Sequence, residues 1–383
     1  MRRLHPAVPA LLALATAGSA VARLSDDPLP TPPADREDSR GAAEAIPPSL
    51  PPAAIPLLHT VPFEARIANG TAGRPLPTTA DEATVLAGLL ADRLGRSIGV
   101  RRGPGVVVAG TGETATLART ARLLGGLRAR IRSLLRMDAD DRTSQLLLLE
   151  ASRDRFELAG ATLFEQTPLA TRTAVLGSVD GRLVVSAWRD PDAGSFLAAT
   201  ARAMAIASIV ESGLLGPGSR SVREDPEPIG PRTPSERPMP PESPTTPTTP
   251  DPPGADVSSD DGRAPAWFLE GLASQLAAAT TSPNALEPRQ RENGLSFLRS
   301  GGDPRRIFAL AADDPGWIDL DGVPQSVAFL AVQRLAEDAP ANLDRLIGAL
   351  RAGRSWAEAW RGSLGGTPAS LAGRLVRHHA VND

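Results

Sequence analysis

Histidine and cysteine, two side chains that commonly bind zinc, are scarce or absent in this chain. The sequence contains four histidines, His5, His59, His378 and His379. No two of them are four residues apart, so no helix can present two imidazoles to one zinc ion. There is no cysteine, which excludes disulfides and thiolate ligands. A Ser-His-Asp triad would need a histidine within the folded body, and none of the four is placed for that role.

The acidic residue with the most distinctive surroundings is Glu270, in the run PAWFLEGLA (265–273), which a proline opens as a helix. This run resembles the second metal-site helix of the gluzincin peptidases, the peptidase MA-like group. In that family the helix follows an HExxH helix, and its glutamate is the third zinc ligand. The order of elements over 105–380 is also similar to a gluzincin domain.

The resemblance implies an α+β, zincin-like (gluzincin) fold. A small N-terminal mixed sheet with helices would precede an all-helical C-terminal part. The helix that includes 194–210 falls where the HExxH helix belongs, and the chain has no HExxH. An alignment of this helix with the family places Thr200 and Met204 at the two histidine positions and Ala201 at the catalytic glutamate. Threonine and methionine are poor zinc ligands and alanine cannot act as a base, so the alignment implies a degenerate site without a cofactor.

Three neighbours of this site have expected structural roles. Trp267 is expected to anchor the core between the two helices, and Gly271 to allow close packing of the motif. Glu270 itself suits the first turns of a helix, where the macrodipole favours negative charge. Without zinc, a glutamate that faces the other helix needs a partner, and Arg202 is the candidate.

The N-terminus is typical of a secretory signal peptide. Arg2 and Arg3 form its charged region, 7–17 its apolar core, and Ala20-Val21-Ala22 a small-x-small cleavage site. The apolar core is too short to act as a stop-transfer helix. We therefore expect a secreted or periplasmic protein with no transmembrane helix after cleavage.

Two proline-rich tracts divide the rest of the chain. Neither can bury enough apolar surface to offset the entropy of ordering it, which favours disorder. The expected organisation is a signal peptide (1–22), a disordered tether (23–62), an α/β part (63–216), a disordered Pro/Thr-rich insertion (217–263) and a helical part (264–383). A net charge of −3 gives no electrostatic reason to expect a nucleic-acid partner.

Within the α/β part, periodicity predicts a helix from Thr79, as N-cap, to Leu94. The arginines of the 119–132 helix are expected on a solvated face. Asp180-Gly181 predicts a hairpin turn. The hairpin resembles the family's edge strands, and an extended peptide partner is expected to bind along the edge near Val184.

Three functions remain open. The first is a non-catalytic, peptidase-like protein that binds an unknown protein or peptide, or serves as an envelope scaffold. The second is an active zinc metallopeptidase with unorthodox ligands drawn from Glu270, His378 and His379. The third is an adaptor that acts through its disordered tract.

Overall fold

The chain forms an α+β fold built on one small mixed sheet. The structure is a computed structural model, and it describes residues 76, 78–137, 142–164, 173–188, 193–214, 262–281, 288–311, 314, 316–319 and 322–380. The predicted signal peptide, the N-terminal tether and all but the last two residues of the 217–263 insertion lie outside these residues. Within the described residues, no helix combines the length and apolarity that a membrane crossing requires.

Five strands form the sheet in the order β1-β2-β3-β5-β4. They are β1 (Gly99–Gly103), β2 (Val106–Gly110), β3 (Gln145–Glu150), β4 (Ala174–Val179) and β5 (Arg182–Trp188). The central strands β2, β3 and β5 are parallel, whereas β1 and β4 are antiparallel edge strands. The central strands are continuous apolar runs because helices cover both faces of the sheet.

The helices of the α/β part are α1 (Ala80–Arg93), α2 (Thr114–Leu134), α3 (Arg153–Phe164) and α4 (Ala193–Glu211). The helices that follow are α5 (Ala266–Thr280), α6 (Pro288–Arg299), α7 (Pro304–Phe308), α8 (Gly316–Asp319), α9 (Val323–Asp338), α10 (Pro340–Arg351), α11 (Trp356–Leu364) and α12 (Pro368–Ala380). One sheet face packs on α1 and α3, and the other packs on α2 and α4. The core on the second face continues into the C-terminal helices, so the two parts share one hydrophobic core.

Several local predictions are confirmed. Thr79 caps α1 in a reciprocal capping box with Glu82. Asp180 and Gly181 form the two-residue turn between β4 and β5, both with positive φ (49° and 74°). This conformation suits the right-handed twist of a hairpin and explains the Asp-Gly pair.

The prediction that the edge strand of the sheet lies at Val184 is wrong. Val184 lies on β5, where it pairs with Leu146 on one side and Gly177 on the other. The hairpin was identified correctly, but its first strand, β4, forms the edge of the sheet. The sequence pattern could not order the two strands because both are apolar and both are buried.

Candidate functional site

The candidate site lies where α4 and α5 pack side by side, as the resemblance implies for two metal-site helices. Arg202 on α4 and Glu270 on α5 form a two-point ion pair across this contact. The Arg202 Nε donates to Glu270 Oε1 at 2.7 Å, and Nη2 donates to Oε2 at 2.5 Å. The two side chains are 22% and 14% exposed, respectively. The structure thus brings together the pair that the sequence singled out.

The geometry of this pair makes it a strong interaction. A guanidinium that meets both oxygens of a carboxylate fixes the orientation as well as the distance. Ser274, one turn beyond Glu270 on α5, donates from Oγ to Oε1 at 3.4 Å. Limited exposure to water reduces screening of the two charges, so the pair holds the helices together more firmly than a surface ion pair would.

Thr200 and Met204 are not on the side of α4 that contacts Glu270. Each is two residues from Arg202, and a separation of two residues on an α-helix turns the side chain by about 200°. Both are buried, at 0% and 1% exposure. On this side, Gln145 of β3 donates to Ser208 Oγ at 3.0 Å, so this side of α4 faces the sheet.

Thr200, Ala201 and Met204, which the alignment placed at the metal-site positions, are all buried. Ala201 and Met204 are core residues, and the Thr200 Oγ1 finds no hydrogen-bond partner among the described residues. The packing of α4, not the chemistry of these side chains, explains why they are buried.

A register shifted by two residues fits the contact with Glu270. By the gluzincin resemblance, this register would place Ala198 and Arg202 at the two histidine positions and Ala199 at the position of the catalytic glutamate. All three residues are partly exposed, on the same side of α4 as the ion pair. A register that begins at Arg202 would instead place the buried Ala203 at the glutamate position. The shifted register also contains neither histidine nor an acid.

Trp267 and Gly271 occupy the packing positions predicted for them. Trp267 is fully buried, and its ring stacks on Phe308 with 4.3 Å between centroids. A Cβ added to Gly271 would lie 2.2 Å from the carbonyl oxygen of Ala328 on α9. The glycine therefore allows α5 to approach α9 closely and holds Glu270 in position facing α4.

The sheet-facing side of α4 carries a buried charge network that the sequence analysis missed. Arg128 of α2 donates to Glu211 Oε2 at 2.9 Å and to the carbonyl of Thr143. Arg128 and Arg132 are 2% and 8% exposed, so the prediction of a solvated arginine face is wrong for these two. Burial raises the pKa of Glu211, and the ion pair with Arg128 opposes this shift.

A second buried carboxylate lies at the end of β3. Glu150 is fully buried as a side chain and pairs with Arg96, which follows α1. Burial raises the pKa of Glu150, against the opposing effect of Arg96. The adjacent leucines of β3 predict burial of this position, but nothing in the sequence identifies Arg96 as its partner.

The C-terminal histidines belong to a different surface. His378 on α12 lies 3.2 Å from Arg334 Nη1 of α9, and its ring meets that of His379 edge-on at 4.8 Å. Burial, His378 and nearby arginines lower the pKa of His379. Within the described residues, no three histidines or acids converge as a metal site would need. His378 thus contacts Arg334 on α9, whereas Glu270 contacts Arg202 on α4.

Comparison with known proteins does not identify a family for this chain. No protein-family model matches the chain, and no curated protein matches it. The gluzincin resemblance therefore depends on the PAWFLEGLA run, the order of elements and the contact between α4 and α5.

Proposed function

We propose that this chain is an exported, non-catalytic relative of the gluzincin peptidases, in which the Arg202–Glu270 ion pair takes the place of the zinc ion. The observation that carries the proposal is the two-point contact of Arg202 with Glu270. Glu270 is the residue that the resemblance assigns as third zinc ligand. In the shifted register Arg202 stands at a histidine position, so its positive charge lies where the metal would be.

The residues around the pair cannot replace peptidase chemistry. Ala198 and Ala199 offer neither a ligand nor a base, and the guanidinium of Arg202 offers no lone pair to a metal. Without catalytic groups, the folded part of the chain would serve as a scaffold. We therefore propose a binding or envelope-associated role, with an extended peptide segment as partner on the true sheet edge, β4.

The contact between Arg202 and Glu270 favours this function over an active peptidase with unorthodox ligands. Such an enzyme would need Glu270 to share a metal with His378 and His379. His378 instead contacts Arg334 on α9, and Glu270 contacts Arg202 on α4.

Zinc content measured by elemental mass spectrometry tests the assignment. The purified full-length chain should contain zinc well below one ion per molecule after dialysis, and it should not cleave peptides. About one tightly bound zinc per chain would overturn the proposal. The proposal also expects the exported chain to begin at Arg23, which intact mass can determine.

A reconstructed site tests the register directly. The triple variant Ala198→His, Ala199→Glu, Arg202→His should bind about one zinc per chain, because two histidines and Glu270 would then converge. The matched control Thr200→His, Ala201→Glu, Met204→His carries the same three side chains on the buried side. These side chains lie on the other side of α4 from Glu270, so the control should bind no zinc. Circular dichroism should verify that both variants fold. Stoichiometric zinc in the control alone would refute the shifted register.

Deletion of 219–262 separates this function from an adaptor acting through the proline-rich tract. If the body is the binding part, partner binding should survive the deletion.

A further inference from the structure

Two neighbouring strands of the sheet send their connections to opposite faces. β2 and β3 are adjacent and parallel. β2 leads into α2, which packs on one face of the sheet, and β3 leads into α3, which packs on the other. In open α/β sheets, ligands bind in the crevice that such a divergence leaves outside the carboxyl ends of the strands. The carboxyl ends of β2 and β3 are therefore a candidate ligand site.

The turn after β2 has the residue spacing of a phosphate-binding loop. Residues 110–115 read Gly-Thr-Gly-Glu-Thr-Ala, a G-x-G-x-x-A pattern between a strand and the first turn of a helix. A Cβ at Gly110 would lie 2.5 Å from the carbonyl oxygen of Leu149, so the packing of β2 on β3 requires this glycine. Among the described residues, no side chain caps the start of α2 by a hydrogen bond, and its first turn contains no acid. The first N–H groups of this 21-residue helix can thus donate to an anion.

Two arginines from different elements reach this turn. Arg155 of α3 donates to Thr111 Oγ1 at 3.2 Å, and Arg101 of β1 donates to Thr114 Oγ1 at 3.0 Å. Among the described residues, neither guanidinium forms an ion pair with a carboxylate. Guanidinium groups form strong, charge-assisted hydrogen bonds to phosphate oxygens, so the two side chains suit a phosphate held at this turn.

A buried carboxylate beside the turn has one oxygen without a partner. Glu150 is the last residue of β3, and its neighbour across the strand pair is Thr111, which follows the final pair of the β2–β3 register. The Glu150 side chain is fully buried, Oε1 accepts from Arg96, and Oε2 has no hydrogen-bond partner among the described residues. The charge of Arg155, which bonds to Thr111, also opposes the rise in the pKa of Glu150, so the carboxylate lies close to this bond. A buried acceptor without a donor suits a ligand that brings a hydroxyl group.

We propose that the carboxyl ends of β2 and β3 bind a phosphorylated sugar. The phosphate lies at the start of α2 between Arg101 and Arg155, and a sugar hydroxyl donates to Glu150 Oε2. Adjacent strands are about 5 Å apart, a distance that one sugar phosphate can bridge. Arg155 is exposed, so its side chain can turn from Thr111 to the phosphate as the ligand enters. Free sugar phosphates and nucleotides share this chemistry. The inference goes beyond the proposed function, because this site is separate from the contact between α4 and α5.

Isothermal titration calorimetry of the full-length chain tests the proposal with ribose 5-phosphate, adenosine monophosphate and inorganic phosphate as probes. At least one of the two sugar-bearing probes should bind at least about tenfold more tightly than inorganic phosphate, because only these probes bring a hydroxyl to the charged acceptor Glu150. Tighter binding of adenosine monophosphate would identify a nucleotide as the ligand, and tighter binding of ribose 5-phosphate a free sugar phosphate. Equal affinities for all three would show an adventitious ion only and would overturn the proposal. So would the absence of binding at millimolar concentrations.

Substitutions at the two arginines test where the phosphate binds. Arg155→Gln and Arg101→Gln should each weaken binding of the tighter sugar-bearing probe by at least about tenfold, because each removes a charge-assisted hydrogen bond. The matched control Arg122→Gln removes the same charge from an exposed position on α2. This position is about 12 Å along the helix from Thr114, beyond the Debye length of about 8 Å, so the affinity should change by less than about twofold. Equal losses in all three variants would reveal a general charge effect and refute the site.

Backbone NMR of the full-length chain locates the bound probe independently of the substitutions. The amide resonances of Gly112, Thr114 and Ala115 should shift as the tighter probe is added, since the phosphate would accept from the N–H groups at the start of α2. Shifts confined to other parts of the chain would overturn the proposal. None of these measurements depends on zinc, so the sugar-phosphate site and the Arg202–Glu270 assignment can fail separately.

Discussion

Removing Glu270 should destabilise the protein by more than a surface ion pair could explain. Glu270→Ala takes away both oxygens that the Arg202 guanidinium binds, at 2.7 and 2.5 Å. Exposed ion pairs contribute about 0–1 kcal/mol, and breaking a buried pair costs about 3–5 kcal/mol. With 22% and 14% of the side chains exposed, the pair is closer to the buried case. We expect a loss of about 2–4 kcal/mol in the free energy of unfolding.

A double-mutant cycle isolates the interaction from the cost of each truncation. Urea unfolding of Arg202→Ala, Glu270→Ala and the double variant should give a coupling energy of about 1.5 kcal/mol or more. The melting temperature of Glu270→Ala should fall by roughly 5–15 °C. The matched control is the pair of Arg93 and Asp180, which also joins distant elements, at 2.9 Å, but is nearly half exposed on both sides.

The control cycle uses Arg93→Ala and Asp180→Asn, because asparagine tolerates the positive φ of the turn. Its coupling energy should stay below about 1 kcal/mol. If the two cycles give equal values, or if Glu270→Ala melts at the same temperature as the unmodified chain, the ion pair does not hold α4 to α5 and the reasoning is refuted.

Three further perturbations test the surroundings of the site. In thermal melts, Gly271→Ala should destabilise the protein by about 3 kcal/mol or more, because the new Cβ would lie 2.2 Å from the Ala328 carbonyl oxygen. The control Gly348→Ala places its Cβ in open space, so it should be neutral or stabilising by about 0.5–1 kcal/mol. Thr200→Val should leave the free energy of unfolding unchanged or raise it by up to about 1 kcal/mol, because the Thr200 hydroxyl has no hydrogen-bond partner among the described residues. A large decrease in the free energy of unfolding, measured with urea, would contradict the buried orientation of this side chain. The pKa of Glu211 is higher in the folded state than in the unfolded state, so the folded state binds more protons. The unfolding free energy of the unmodified chain, measured relative to that of Glu211→Gln, should therefore fall as the pH rises above about 4.5. If this difference instead rises with pH, the ion pair with Arg128 outweighs the effect of burial.

Local signals predicted the elements of the fold well. The capping box at Thr79, the Asp-Gly turn at 180–181 and the leucine run of β3 each specify a conformation through adjacent residues. Long-range order was harder to predict. Which strand of the hairpin forms the edge depends on pairing with β3, and both strands are apolar, so their sequence gives no preference.

The candidate site was predictable in part, for an identifiable physical reason. The PAWFLEGLA run located Glu270, and the need for a partner suggested Arg202. The orientation of α4 could not be predicted, because this helix is apolar on nearly all sides and has no polar stripe to mark its solvent face. The buried pair of Arg128 and Glu211 was hidden for a different reason: arginines on an amphipathic helix usually face water, and their acidic partner lies 83 residues away.

If the proposed relation to the gluzincin peptidases holds, the shifted register would explain why three metal-site side chains are absent together. An arginine at position 202 already supplies the positive charge that Glu270 needs, so a zinc ion beside it would face repulsion and lose its carboxylate ligand. Position 198 lies one helical turn before Arg202, on the same face, where a histidine would crowd the guanidinium. An acid at position 199 would compete with Glu270 for the same arginine. Alanine at both positions removes these conflicts, so changing Arg202 alone to histidine should not restore zinc binding, whereas changing all three residues should.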